Sequence, residues 1–134
     1  MNSRAVNVSK GEDGELLFLL RASEKGMKVA IPVKTERYDF IVDVDGRLSR
    51  IQVKTTQGGK FTYIKHVITL SSNRNKPYTA NDIDFIAAFI TSLKIWYIIP
   101  ITKISGKHGI SLYPDAKRGL SQYEQYREAW HLLL

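Results

Sequence analysis

Three polar side chains lie at positions that a pair of strands would bring together. Asp39 belongs to one apolar run, and Gln52 and Lys54 belong to the next, with Asp45-Gly46 between the two runs. An Asp-Gly pair between alternating apolar runs predicts a β-hairpin with a two-residue turn. The hairpin would therefore present a carboxylate, an amide oxygen and an ammonium close to one another.

A two-residue turn fixes the register of the hairpin, because paired residues then have numbers that sum to 91. Asp39 is predicted to lie opposite Gln52. Directly paired residues share a face, and side chains alternate along each strand. The polar face is predicted to consist of Asp39, Ile41, Asp43, Leu48, Arg50, Gln52 and Lys54. The core face is predicted to consist of Phe40, Val42, Val44, Ile51 and Val53.

The polar face has the donor types of a magnesium site that acts on phosphate. The Asp39 carboxylate and the Gln52 amide oxygen are hard ligands suited to Mg²⁺, and the Val53 backbone carbonyl is within reach. Lys54 would stabilise charge on the phosphate, or orient or deprotonate the attacking water. Glu15 is a candidate further ligand or water-orienting base if its segment packs at the same end. The set predicts metal-assisted phosphodiester hydrolysis with Mg²⁺, for which Mn²⁺ is expected to substitute.

A second interpretation of the same residues is a solvated hairpin face with a cross-strand hydrogen bond. Polar alternation on one side of antiparallel strands is ordinary, because that side commonly faces water. Asp39, Gln52 and Lys54 by themselves leave both interpretations open.

The elements that carry these residues follow from the hydrophobic pattern. Residues 11–25 have leucines at helical spacing, early acidic residues and Gly26 after them, which predicts a first helix. Ser121 with Glu124 three residues later forms a capping box that predicts a closing helix over 121–134. Apolar runs predict strands at 27–33, 38–44, 47–55, 61–70, 83–91, 94–102 and 109–114.

This order of elements predicts an α+β or α/β fold, with a mixed β-sheet flanked by an N-terminal and a C-terminal helix. The 134 residues are expected to form a single domain over 1–134. The absence of cysteine excludes a disulfide framework and any thiolate ligand or nucleophile. Since no apolar run reaches the roughly 20 residues of a membrane span and no signal-peptide pattern is present, we expect a cytoplasmic protein that is not secreted and has no membrane partner.

The positive charge is concentrated in one segment. The chain has 20 Lys and Arg against 13 Asp and Glu, a net charge of +7, and no acidic residue lies between Asp45 and Asp82. Such a concentration favours a polyanionic partner, although a basic protein without that function is the alternative. The seven basic residues that account for the entire excess are Arg47, Arg50, Lys54, Lys60, Lys65, Arg74 and Lys76.

Candidate DNA contacts come from the same basic segment. Loop 71–79, rich in Ser, Asn and Arg, would enter a groove, with a solvated loop as the alternative. Asp82 and Asp84 offer carboxylates for a second metal, but nothing near them in the chain links them to the first site. The candidate contacts are Arg50, Lys60, Lys65, His66, Arg74 and Lys76.

These features together resemble the PD-(D/E)XK nuclease superfamily. More narrowly, the sequence is similar to the small group that includes a cyanobacterial group I intron homing endonuclease, in which Gln replaces the second acid before X-K. The resemblance extends over most of the chain. It rests on Gly14-Glu15, Tyr38-Asp39, the Asp45-Gly46 turn, IQVKT at 51–55, and Pro114 followed by YREAWHLL at 126–133.

The resemblance implies a Mg²⁺-dependent DNA endonuclease with an αβββαβ-type core. The active site it implies consists of Glu15, Asp39, Gln52 and Lys54. Two positions depart from the usual pattern: Tyr38 stands where proline precedes the acid, and Gln52 is neutral. The loss of one negative charge would make metal affinity rest more on Asp39, Glu15 and the DNA phosphate.

Within that family, the expected activity is site-specific cleavage of double-stranded DNA by a homing-type enzyme in the nucleoid. A chain of this length buries too little surface to read a long target alone, so we expect a homodimer or homotetramer. Two alternatives remain open. One is a Holliday junction resolvase that cuts branched DNA, and the other is a catalytically inactive DNA-binding relative.

Overall fold

The computed structural model describes residues 14–57, 65–72, 75–115 and 122–134 of the chain. In these ranges no helix is long and apolar enough to cross a membrane. The helix and strands are α1 (Gly14–Glu24), β1 (Lys28–Ala30), β2 (Phe40–Val44), β3 (Arg47–Thr56), β4 (His66–Thr69), β5 (Ser71–Ser72), β6 (Lys76–Pro77), β7 (Phe85–Ile90), β8 (Ile95–Pro100) and β9 (Gly109–Leu112). Short 3₁₀ turns are found at Ile101–Lys103, Glu124–Tyr126 and Trp130–Leu133.

A mixed five-stranded sheet forms the centre of the fold, in the order β1-β2-β3-β7-β8. The strands β1, β2 and β3 are antiparallel, β3 and β7 are parallel, and β8 returns antiparallel to β7. Two small antiparallel pairs, β4 with β9 and β5 with β6, lie outside this sheet. The predicted mixed sheet in an α+β fold is confirmed.

The β2–β3 hairpin has the register that the Asp-Gly turn predicts. Its pairs run from Phe40 with Ile51 to the turn, and the residue numbers of every pair sum to 91. Asp45 and Gly46 have φ of 51° and 85°. Two left-handed residues in succession form the type I′ turn, whose twist matches that of the flanking strands. The turn therefore sets which side chains of the hairpin face the core.

One part of the core lies between α1 and one face of the sheet, and the burial of all six residues of β7 shows that the other face is covered as well. The ring of Phe18, which is fully buried on α1, stacks on Phe40 with ring centroids 5.5 Å apart. Trp96 and Trp130 contact the same ring from β8 and the C-terminal segment. The predicted core face of the hairpin is buried, with one residue at its margin: Phe40, Val42, Ile51 and Val53 are inside, and Val44 is partly buried.

Helix α1 ends before Gly26, as the sequence predicts, and residues 11–13 of the predicted helix lie outside the described residues. Its C-terminus is a Schellman motif, in which the N–H of Met27 donates to the Ala22 carbonyl and the N–H of Gly26 donates to the Ser23 carbonyl, both at 3.0 Å. Gly26 takes the left-handed conformation that this motif requires, with φ of 78°. At the other end, a Cβ on Gly14 would lie 2.2 Å from Thr55 Cγ2. Glycine therefore lets the helix start in direct contact with β3.

The connection between the parallel strands β3 and β7 contains β4, β5 and β6. Within 65–72 and 75–84 it contains no α-helix, so the second core helix that an αβββαβ-type core implies is not found in this part of the chain. The predicted strand at 61–70 is observed as β4 at His66–Thr69, and 61–64 lie outside the described residues. A parallel connection needs a long crossover, and here strands supply it.

The predicted C-terminal helix over 121–134 is wrong, because the chain closes in two 3₁₀ turns. Between the turns, Glu128 has φ of 48°. Its N–H donates to the Trp96 carbonyl at 2.7 Å, and its carboxylate accepts the Trp96 N–H at 2.9 Å. The Glu128 N–H therefore pairs with the edge of β8, whereas an α-helix would use that N–H for a hydrogen bond of its own. Ser121, the predicted N-cap, lies outside the described residues.

Replacing Gly14 with alanine is expected to lower the free energy of unfolding by about 1–2 kcal/mol, since the new methyl group overlaps the Thr55 methyl group. Thr55→Ser removes that methyl group, so the double variant should recover most of the loss. Urea denaturation of the two single variants and the double variant measures this coupling. A Gly14→Ala protein as stable as wild type would contradict the contact.

Candidate active site

Asp39 lies at the point where the β2–β3 ladder ends. Its N–H donates to the Ile51 carbonyl at 2.8 Å, one residue out of the register that holds along the hairpin. Asp39 and Phe40 thus both lie opposite Ile51, which is the geometry of a β-bulge. The prediction that Asp39 lies directly opposite Gln52 is corrected by this one-residue shift. The bulge turns the Asp39 carboxylate towards Val53, whose N–H donates to Oδ2 at 2.8 Å.

Beyond this bulge, β3 continues for five residues with an open edge. Residues 52–56 pair with β7 on one side, and within the described ranges no strand pairs with them on the other. The N–H and C=O of one strand residue point the same way. Because the N–H of Val53 points to the Asp39 carboxylate, its carbonyl also points to the open edge. A carboxylate and a backbone carbonyl are therefore presented side by side.

The Gln52 side chain joins this pair of oxygens. Its Nε2 donates to the Val53 carbonyl at 3.2 Å. A rotation of the amide by 180° exchanges its oxygen and nitrogen. Adjacent ligands of an octahedral Mg²⁺ at about 2.1 Å are about 3 Å apart, so the amide oxygen and the carbonyl have the spacing that such an ion needs. The donor set of Asp39, Val53 and Gln52 fits a hard divalent cation.

Glu15 belongs to α1, which packs on the face of the sheet opposite to Gln52 and Lys54. Gly14 contacts Val53 and Thr55, whose side chains are on the core face, whereas Gln52 and Lys54 project from the other. Glu15 follows directly in the first turn of α1 and is half-buried. To reach the candidate metal ligands, the Glu15 side chain would therefore have to extend around the open edge of β3. Within the described ranges, no group of three or more His, Cys, Asp or Glu side chains has the geometry of a metal site, and the predicted set depends on neutral oxygens.

Lys54 lies next to an aromatic ring that the sequence interpretation missed. Its Nζ is 5.3 Å from the centroid of the Tyr78 ring, and the Arg37 guanidinium is 4.2 Å from the same centroid. Tyr78 is only 4% exposed. The available signals were weak: Arg37 precedes Asp39 by two residues, and Tyr78 lies in a polar loop that was expected to face solvent or DNA.

Arg50 was predicted to contact DNA, and the structure engages it within the protein. Its Nε and one terminal nitrogen donate to the two carboxylate oxygens of Asp84, each at 3.1 Å, and further N–H groups donate to the carbonyls of Ala80 and Asn81. The hydrogen bond to Asp84 raises the pKa of Arg50 above its ordinary value. The guanidinium therefore ties β3 to the segment before β7, and we leave it out of the proposed DNA surface.

Asp82 and Asp84 are likewise engaged by cations of the protein. Asp82 accepts a hydrogen bond from Arg37 at 2.6 Å and another from the Thr79 N–H at 3.0 Å. Burial raises the pKa of Asp82, but these hydrogen bonds and the Arg37 charge outweigh it, and the pKa lies below its ordinary value. Because arginines already neutralise Asp82 and Asp84, these two carboxylates do not require a second metal ion.

The other predicted DNA contacts are exposed, buried or outside the described residues. Lys65 and Lys76 are exposed. His66 is 2% exposed, so burial contradicts the expectation that it contacts DNA. Lys60 and Arg74 lie outside the described residues.

The sequence model of the PD-(D/E)XK endonuclease family matches residues 7–133. The chain belongs to this family. The solved structure of a bacterial homing endonuclease, I-Ssp6803I, is similar to it with a TM-score of 0.75 and 31% identity, over 90% of this chain and 86% of that one. No match was found among curated proteins. The predicted fold class and family are therefore confirmed, and an endonuclease is supported.

The ion pairs of Asp82 and Asp84 predict a loss of stability in acid. Burial raises the pKa of Asp84, but the hydrogen bonds from Arg50 outweigh it and the folded-state pKa is depressed. A depressed pKa contributes stability above the unfolded-state value near pH 4, and this contribution is lost as the pH falls through the folded-state pKa. We expect this contribution to the free energy of unfolding to be lost below about pH 4.

Asp84→Asn tests this dependence. Since the Arg50 and Asp84 side chains are 32% and 40% exposed, the variant should lose only about 0.5–1 kcal/mol at pH 7. Its acid dependence should be shallower than that of wild type, while Asp115→Asn at an exposed carboxylate should leave it unchanged. Urea denaturation across pH 2.5–7 measures both slopes. Equal slopes in wild type and Asp84→Asn would contradict the assignment.

Proposed function

We propose that this protein is a Mg²⁺-dependent endonuclease that hydrolyses phosphodiester bonds of double-stranded DNA, with one nuclease domain over 1–134. The observation that carries the proposal is the open edge of β3, where Asp39, the Val53 carbonyl and the Gln52 amide lie together beside Lys54. Membership of an endonuclease family supports it independently. Mn²⁺ would substitute for Mg²⁺, because the same oxygen ligands suit both ions.

The chemistry follows from the position of each group. Asp39, Val53 and Gln52 would hold Mg²⁺, with Glu15 as a further ligand or as the group that orients the attacking water. When bound there, Mg²⁺ would supply a lowered pKa for a coordinated water and charge stabilisation for the transition state. Lys54 contributes a positive charge next to this edge, where it would contact a phosphate oxygen or orient the water. Because Gln52 is neutral, Asp39 and the DNA phosphates would supply more of the negative charge that the cation requires.

The homing-type substrate is proposed from the structural neighbour and from the size of the chain. The neighbour is described as a homing endonuclease, and it is similar over most of both chains. A chain of 134 residues presents limited surface, so contacts to a long site would be multiplied by symmetry in a homodimer or homotetramer. The exposed Lys65 and Lys76, with Lys60 and Arg74 of the same basic segment, would contact phosphates at the nucleoid.

The direct test is a cleavage assay on a randomised linear duplex pool beside an immobile four-way junction, with Mg²⁺ or with EDTA. We expect cutting at one enriched linear sequence in Mg²⁺ and no cutting in EDTA. The Lys54→Ala variant should lose at least about 100-fold in rate, because it removes charge stabilisation at the reacting phosphate. Cutting of the junction alone would identify a resolvase. DNA binding without any cutting would identify an inactive relative.

Asp39→Asn separates the catalytic role of Asp39 from its structural role. The amide oxygen can still accept the N–H of Val53, so the variant should fold with nearly wild-type stability. It lacks the negative charge, so cleavage should fall as it does in Lys54→Ala. A variant that cuts at the wild-type rate would place the metal elsewhere.

A further inference from the structure

Tyr78 lies beneath the ammonium of Lys54. The Nζ is 5.3 Å from the ring centroid, which is within the range of a cation–π interaction. No hydrogen bond or ion pair of this ammonium is found among residues 14–57, 65–72, 75–115 and 122–134. The aromatic ring therefore attracts the charge without using any of its three N–H groups. Those groups stay available for a phosphate oxygen or a water molecule.

The ring is itself held rigidly. Tyr78 is 4% exposed, its N–H donates to the Leu70 carbonyl at 3.3 Å, and its carbonyl accepts the N–H of Gly106 at 3.0 Å. The Arg37 guanidinium lies over the ring, 4.2 Å from its centroid. A buried ring with fixed backbone contacts offers a defined position to a long, flexible lysine side chain.

Arg37 fixes this arrangement to the metal-binding segment. Its terminal nitrogens donate to the carbonyls of Lys76 and Pro77, the two residues that precede Tyr78, at 2.7 and 3.1 Å. They also donate to Asp82 at 2.6 Å, which balances the Arg37 charge. Arg37 precedes the metal-ligand candidate Asp39 by two residues. The short segment 37–39 thus connects Tyr78 to the edge where the metal ligands lie.

We propose that Tyr78 is a positioning residue for Lys54: its ring holds the ammonium beside the open edge of β3, and the pair of Arg37 and Asp82 holds the ring. The proposal rests on the proposed nuclease function, in which Lys54 acts on the phosphate or the water. The ring takes no part in the reaction itself. The ring restricts the conformations of the Lys54 side chain, so less conformational entropy is lost when Lys54 reaches its reactive position.

The expected effect of Tyr78→Leu is a loss of about 10-fold or more in kcat, because misplaced catalytic groups lose rate more than binding. The dissociation constant for DNA, measured in EDTA, should stay within about 2-fold, since Lys54 is one of many basic residues. Tyr78→Phe keeps the ring and should retain most of the wild-type kcat. Tyr123→Leu is the matched control, because Tyr123 is 6% exposed and packs near Val67 and Gly109 of the β4–β9 pair.

A second measurement does not depend on cleavage. A proton above an aromatic ring is shifted upfield by the ring current, so the ε-methylene signal of Lys54 should be displaced in the NMR spectrum of wild type. Its assignment follows from its disappearance in Lys54→Met. The displacement should persist in Tyr78→Phe and in Tyr123→Leu, and it should vanish in Tyr78→Leu.

Several outcomes would overturn the proposal. They are wild-type kcat in Tyr78→Leu, an equal loss of kcat in Tyr78→Phe, an equal loss in Tyr123→Leu, and an ordinary chemical shift of the Lys54 ε-methylene group in wild type. If wild type fails to cleave any DNA, the proposed nuclease function fails. The ring-current shift then still decides whether Tyr78 holds Lys54.

Discussion

The hydrogen bond from the Val53 N–H to the Asp39 carboxylate determines the architecture of the site. It replaces the strand partner that β3 would otherwise have, and so the β2–β3 ladder ends at Phe40 and Ile51. A side chain that satisfies a backbone donor leaves the rest of the edge open without a buried, unsatisfied N–H. The open edge in turn exposes the Val53 carbonyl beside Gln52. One interaction thus lies where the β2–β3 ladder ends and where three oxygen donors come together.

Some basic residues of the central segment interact with other groups of the protein, and others are exposed on the surface. Arg50 of this segment is bound to Asp84 and ties β3 to the residues before β7, while Arg37, which precedes the segment, is bound to Asp82. Lys54 faces an aromatic ring, and Lys65 and Lys76 are exposed. The excess charge in the sequence therefore overstates the number of cations that face solvent. The exposed lysines, together with the proposed metal site and its low ligand charge, favour a polyanionic substrate.

Local patterns predicted the hairpin and α1, because their signals are carried by neighbouring residues. The Asp-Gly turn and the alternation of side chains fixed the register, and Gly26 fixed the end of the helix. Long-range contacts decided the rest. The bulge at Asp39 depends on a hydrogen bond across the sheet, and the C-terminal helix was replaced because Glu128 binds the backbone of Trp96. The contact between Tyr78 and Lys54 depends on the tertiary fold alone, so no spacing in the sequence could predict this contact.

We propose that the open edge of β3 binds a divalent cation through Asp39, Val53 and Gln52. A crystal structure with Mn²⁺, located by its anomalous scattering, tests this most directly. We expect a Mn²⁺ ion bonded to the Asp39 carboxylate, the Val53 carbonyl and the Gln52 amide oxygen, with the amide rotated from the orientation in which Nε2 faces Val53. A Mn²⁺ ion bound away from this edge, or an edge that stays empty at millimolar Mn²⁺, would contradict it.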